Sequence, residues 1–189
     1  MLPVNPQLFL APKLKGLNIE ELIVLNLGAG NYTSALAAHI FDFPFKKLIS
    51  VDIWPKYLDE IDESKIKAKE HIKIVDNILT MDFPDADVVM LFDVAEHMTY
   101  NNLDKLLEKI ETTIPNLKRI LIFGPIERNK YKLRIPEDLS NQYQIHHIRL
   151  SPDYFEKRGY QVDILNNFHR WENADGVKPG DALWAIKNK

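Results

Sequence analysis

The chain has 189 residues and a formal net charge of −3, and its 46% hydrophobic and 27% charged content is that of an ordinary soluble globular protein with one sizeable core. It has no cysteine, which excludes disulfides, thiolate nucleophiles and Cys-ligated zinc, and its six histidines include no His-x-x-x-His pair for a structural metal. The weak negative charge disfavours nucleic acid as a partner, no run of about 18 apolar residues could span a membrane, and the proline-interrupted start is unlike a secretion signal, so a cytoplasmic location is expected.

Residues 1–20 read as an irregular arm ending in a short helical turn. A first apolar run, Leu22 to Leu27, stops at Gly28-Ala29-Gly30, and a helix is predicted from about Ser34, with Thr33 or Ser34 as its cap. The second run, Leu48 to Val51, closes on Asp52. The charged stretch Glu60 to Glu70 reads as a solvated connection, and His71 to Val75 as a third strand running into Asp76-Asn77. Asp87 to Phe92 is continuously apolar after its first residue, as in a central parallel strand covered on both faces, and leads into Asp93-Val94-Ala95-Glu96-His97-Met98.

Leu103, Leu106, Leu107 and Ile110 recur at helical spacing and predict an amphipathic helix over about Asn101 to Thr112. Lys118 to Phe123 is a fifth strand, expected to stop at Gly124-Pro125. The segment 126–150 is long for a connection and holds Arg128, Lys130, Lys132, Arg134, His146, His147 and Arg149, which suggests a lid over a substrate. A helix capped by Ser151 with Pro152 in its first turn should end at Gly159. Tyr160 to Leu165 and Ala182 to Lys187 read as two final strands, joined by a loop carrying His169, Arg170, Trp171 and Lys178-Pro179-Gly180. The sum is an α/β fold in one domain, residues 1–189: a doubly wound, mostly parallel, Rossmann-like sheet of seven strands with an antiparallel terminal strand.

The stretch from Glu21 to Asp52 carries the first functional signal. Glycines at 28 and 30 allow positive φ and a close approach of backbone to ligand, and an acid at the end of the second strand is placed to accept hydrogen bonds from ribose hydroxyls. That pattern describes a nucleoside site without choosing the nucleoside. A dinucleotide fingerprint would need a third glycine where Thr33 stands.

The segment Asn26-Leu27-Gly28-Ala29-Gly30-Asn31-Tyr32 resembles motif I of the class I S-adenosylmethionine-dependent methyltransferases, acid-x-Gly-x-Gly-x-Gly, with Asn26 in place of the acid and Tyr32 in place of the last glycine. Asp93-Val94-Ala95-Glu96-His97 resembles the D-V-L-E-H that follows the fourth strand in many small-molecule members. A weaker likeness, H-x-x-x-S-P-x-x-F-x-x-x-G-Y, spans His147 to Tyr160. The resemblance implies S-adenosylmethionine as cofactor, held by Asn26, Gly28, Ala29, Gly30 and Tyr32 in the turn, Asp52 and Ile53 at the ribose, Asp76 and Asn77 at the adenine, and Asp93 at the methionine end.

The same resemblance implies a methyltransferase acting on a small molecule, with O-methylation of a sugar, phenol or carboxylate ahead of N-methylation. The candidate general bases are His97 and His146, with His147 beside the latter. Were the turn after Phe92 helical, Asp93, Glu96 and His97 would share one face. That spacing is similar to the E-x-x-E-H of quinone-pathway O-methyltransferases, where it holds a divalent cation, but no metal is assigned here. A nicotinamide-dependent oxidoreductase and a degenerate, non-catalytic binding module are the alternatives. The expected partner is a small-molecule acceptor, without membrane or nucleic acid, and a homodimer is compatible with the sequence.

Overall fold

The computed structural model describes residues 9–30, 40–126, 146–173 and 176–189. Seven strands form one sheet: β1 (Ile23–Leu27), β2 (Lys47–Asp52), β3 (His71–Val75), β4 (Val88–Phe92), β5 (Arg119–Ile126), β6 (Gln161–Asn173) and β7 (Gly176–Asn188). Their order is β3-β2-β1-β4-β5-β7-β6. β1 to β5 are mutually parallel where they pair, and β7 lies antiparallel between β5 and β6. The helices are α1 (Pro55–Asp59), α2 (Tyr100–Thr113) and α3 (Pro152–Glu156).

Because successive side chains of a strand point to opposite faces, a sheet covered on both sides needs apolar residues at every position. β4 meets this demand with five buried residues, Val88 to Phe92. Val89 and Leu91 join the core layer that holds Leu103, Leu106, Leu107 and Ile110 of α2, while Val88, Met90 and Phe92 join the opposite layer with Phe41, Phe43 and Phe45. The same alternation divides Ile120 and Ile122 from Leu121 and Phe123 on β5, and Leu183 and Ala185 from Ala182 and Trp184 on β7. Thr99 caps α2 by accepting from Asn102 N–H at 3.2 Å, and Ser151 caps α3 by accepting from Tyr154 N–H at 3.3 Å. Gly159 follows with φ +78°, as its reading as a helix stop requires.

Two expectations are corrected. β5 does not stop at Gly124-Pro125 but continues to Ile126, because β7 supplies partners there, Gly124 to Leu183 and Pro125 to Ala182. β4 has already ended at Phe92, opposite Phe123, so no β4 residue pairs with Pro125. The loop expected between the last two strands is strand as well: His169 pairs with Gly180, Arg170 with Pro179 and Trp171 with Lys178. These residues lie beyond the last β5 pairing, Ile126 with Asp181, so they form a two-stranded ribbon without a third strand to impose apolar alternation. The short helical turn expected at the end of the arm is present, and residues 9–14 are packed. Phe9, Leu10 and Leu14 are buried, and 3-10 turns occupy Ala11–Leu14 and Ile19–Glu21.

Trp184 is fully buried, with ring centroids 4.9 Å from Phe9, 5.2 Å from Phe92 and 5.0 Å from Phe123. It joins the N-terminal segment, β4, β5 and β7. Trp184→Ala should lower stability by about 3–5 kcal/mol, the range for emptying a large buried aromatic site. Urea unfolding followed by far-UV circular dichroism measures the change.

Candidate active site

In a sheet of this order β1 is flanked by β2 and β4, and the chain winds outward from it in both directions. The crevice at the carboxyl ends of β1 and β4 is where such a sheet binds ligands. β1 ends in a turn with Gly28 at φ +69° and Gly30 at φ +63°. At Gly28 a Cβ would lie 2.5 Å from Val94 Cγ2, so a side chain is excluded by packing as well as by backbone. At Gly30 a Cβ would meet no atom of the described residues within 4 Å, which leaves the second glycine open to a ligand among them.

The turn is fastened to β2. Ala29 N–H donates to the Val51 carbonyl at 2.9 Å, and Gly30 N–H donates to Asp52 Oδ2 at 2.8 Å. Asp52 Oδ1 accepts from Trp54 N–H at 2.8 Å. The carboxyl is buried, and burial raises its pKa, while the N–H groups of Trp54, Gly30 and Ile53 work in the opposite direction. Each oxygen keeps a second lone pair for a hydroxyl donor. Next along the edge, Asp76 N–H donates to the Asp52 carbonyl at 3.1 Å. The exposed Asp76 and its neighbour Asn77 also serve the local turn: Asp76 Oδ1 accepts from Asn77 N–H at 2.7 Å, and Asn77 Oδ1 from Leu79 N–H at 3.0 Å.

Asn26 is buried on β1, and its Nδ2 has no hydrogen-bond partner among the described residues. Asp93 presents a buried Oδ1 that is likewise unpartnered among them. Its φ of +53° is unusual for an aspartate, and it ends β4 with its N–H on the Phe123 carbonyl at 2.9 Å. Left-handed backbone at a residue with a Cβ costs of order 1 kcal/mol and tends to occur at functional sites. Burial pushes the Asp93 carboxyl up to about 7. A buried donor and a buried acceptor left open at this edge fit a ligand that carries both kinds of group, as the α-amino acid end of S-adenosylmethionine does.

Asp93, Glu96 and His97 do not share a helical face. The left-handed turn at Asp93 breaks the helix, and only Ala95–His97 form a 3-10 turn. Glu96 and His97 instead meet His146, from beyond β5. One ligand-type atom from each of the three lies within 4.8 Å of the others, and the two imidazoles stand edge to face with centroids 4.7 Å apart. The Glu96 carbonyl accepts from both His147 N–H at 2.7 Å and Ile148 N–H at 3.2 Å, which ties the two segments together. His146 is buried and His147 exposed.

Gly124 was no candidate in the sequence, yet a Cβ there would come within 3.2 Å of Glu96 Oε2 and 2.5 Å of Leu150 Cδ1. A glycine within an apolar strand was the available signal for such a close approach. Tyr32 and most of the expected lid, residues 127–145, lie outside the described residues.

Asp93 links this site to stability. Between its ordinary value of 3.8 and its raised value of about 7, the native carboxyl holds more protons than the unfolded one, so stability falls as pH rises. The slope approaches ~1.4 kcal/mol per pH unit. Asp93→Asn removes the buried charge and suits left-handed backbone. Its thermal midpoint should exceed that of the parent by a margin that grows between about pH 4 and pH 7 and is constant above, as differential scanning calorimetry would record.

A methyltransferase-domain family model matches residues 25–116. No curated protein sequence matches the chain. Among solved structures, a putative methyltransferase from Bacillus halodurans shares 13% identity at TM-score 0.63, over 96% of this chain and 98% of that one. Magnesium protoporphyrin IX methyltransferase from Synechocystis, solved with bound S-adenosylmethionine, shares 11% at 0.59 over 97% and 78%. The methyltransferase domain of a bacterial Hen1 shares 16% at 0.53 over 94% and 95%. These likenesses concern the fold, and with the matched domain and the strand order they lead to one statement: the chain carries a methyltransferase domain over residues 25–116 and has the seven-stranded fold of the class I S-adenosylmethionine-dependent methyltransferases.

Proposed function

We propose that the enzyme transfers a methyl group to an oxygen of a small acceptor, such as a sugar or phenol hydroxyl or a carboxylate. The observation that carries this reading is the cluster of Glu96, His97 and His146 at the carboxyl edge of β4. An amine can react through a lone pair it already has, but a hydroxyl must lose its proton as it attacks, so oxygen acceptors need a basic group at the site. Glu96 and His146 are 2% and 6% exposed, and side chains so covered suit contact with the end of a small molecule better than with a broad polymer surface.

The cofactor's sulfonium supplies an electrophilic methyl carbon. The protein's part is to hold the two reactants in line, which can account for most of the acceleration. Asn26, Gly28, Ala29, Gly30 and Tyr32 form the cofactor turn in this reading, Asp52 and Ile53 meet the ribose, Asp76 and Asn77 the adenine, and Asp93 the ammonium of the methionine end. With the cofactor bound, His97 or His146 would take the acceptor's proton as its oxygen attacks the methyl carbon, and the electrons of the broken carbon–sulfur bond would go to sulfur.

Two measurements test the proposal. Asp52→Asn keeps the shape of the side chain but replaces an acceptor by a donor. It should weaken S-adenosylhomocysteine binding by about ten- to a hundredfold in calorimetry, the loss of one or two bonds to a charged group. Label transfer from methyl-tritiated cofactor to panels of phenols, sugars, carboxylates, amines and a short RNA should reach the oxygen acceptors. Transfer confined to amines or RNA would reject the acceptor class.

A further inference from the structure

We propose that the acceptor is a hydroxyl compound that also carries an acid group, a carboxylate or a phosphate, held at the surface by the Arg149 guanidinium and the His147 ring while the hydroxyl reaches His97 and His146. The inference rests on the oxygen-methylation reading for the reaction, and on the segment from His146 to Leu150 for the acid. The hydroxyl is methylated and the acid group leaves unchanged.

Burial alternates along that segment: His146, Ile148 and Leu150 are buried, His147 and Arg149 exposed. Such alternation belongs to extended backbone, so the buried His146 is flanked in sequence by two nitrogen donors that face solvent. The backbone beneath them is fastened. The Glu96 carbonyl accepts from His147 N–H and Ile148 N–H, and the Arg149 carbonyl accepts from the Tyr100 hydroxyl at 2.6 Å. The Tyr100 ring is steadied by Tyr154, with centroids 4.9 Å apart, yet the residue stays 42% exposed and offers an aromatic surface to a ligand. Donors carried on backbone that is already ordered lose less entropy when a ligand arrives.

The charges suit an acid at the surface and oppose one further in. Among the described residues neither the Arg149 guanidinium nor the His147 ring is used in an ion pair or hydrogen bond. Asp104, one turn along α2 from Tyr100, is already occupied, since it accepts from the Tyr154 hydroxyl at 2.6 Å and pairs with Arg158. Further in, the buried carboxyls of Glu96 and Asp93 would face any second acid, which would also lose its water there. A guanidinium can grip a carboxylate or a phosphate through two parallel N–H bonds. Three residues of extended chain put His146 and Arg149 at most ~10 Å apart, so one phenolic acid or sugar phosphate can engage both.

The test compares acceptors matched except for the acid: para-hydroxybenzoate with para-hydroxybenzamide, glucose phosphate with glucose, and, as an amine pair, β-alanine with β-alaninamide. Methyl transfer by the full chain is measured for each, and chemical-shift titrations with benzoate and with inorganic phosphate are run on the protein saturated with S-adenosylhomocysteine. In at least one hydroxyl pair the acid member should have a kcat/KM about ten- to a hundredfold above its neutral partner, the worth of a charge-assisted pair. Arg149→Gln should remove most of that ratio, through KM rather than kcat, and weaken binding of the same anion about tenfold. Lys157→Gln, which removes another exposed charge, should bind the anion as the parent does. Phosphate binding without benzoate assigns a phosphate ester, and the reverse assigns a carboxylic acid. Failure of both anions to bind the parent, equal binding by parent and Arg149→Gln with native circular dichroism, or equal transfer within the hydroxyl pairs overturns the proposal. Anion binding that depends on Arg149, with transfer to the amine pair alone or to no acceptor, would leave the acid site standing and remove the oxygen-methylation reading beneath it.

Discussion

The hydrogen bond from Gly30 N–H to Asp52 Oδ2, at 2.8 Å, is the constraint on which the edge of the sheet formed by the ends of β1 and β2 depends. It joins the end of one strand to the end of its neighbour, and with the bond from Ala29 N–H to Val51 it fixes a turn whose two glycines both have positive φ. The turn is therefore shaped by the protein's own backbone. A loop that is already ordered loses little conformational entropy when a ligand arrives, and more of the contact energy appears as affinity. The cost is a buried carboxyl, which desolvation disfavours and three backbone N–H groups offset.

The central sheet was legible because each buried strand had to be apolar on both faces. Val88 to Phe92 and His71 to Val75 could be read from composition and alternation, and the bounds agree with the structure to within a residue. Pro125 and Gly180 misled because they normally punctuate strands, whereas here β7 pairs with one and β6 with the other. No local pattern encodes that pairing, which depends on which strand lies alongside.

The site was legible unevenly. Asp52, Gly28 and Gly30 announced themselves through spacing, as glycine demands are local. The meeting of His97 with His146 was not, because it depends on where the chain returns after β5; only the residue types made both candidates. The left-handed backbone of Asp93 was invisible too, and it defeats a helical-face argument that the spacing alone supports. The dinucleotide alternative already lacked its third glycine at Thr33, and the non-catalytic one rested on the departures at Asn26 and Tyr32; the methyltransferase-domain match over residues 25–116 speaks against the first.

The double acceptance by the Glu96 carbonyl has a further consequence. It pins the chain at His147, and the pairing of Ile126 with Asp181 pins it at the other end of the intervening stretch. Both anchors are backbone contacts, indifferent to the side chains between them. The entropy of closing a loop grows only logarithmically with its length. The spacing of these two anchors is thus set by the sheet and the 3-10 turn, and each doubling of the chain length between them would cost only about 0.6 kcal/mol in closure entropy.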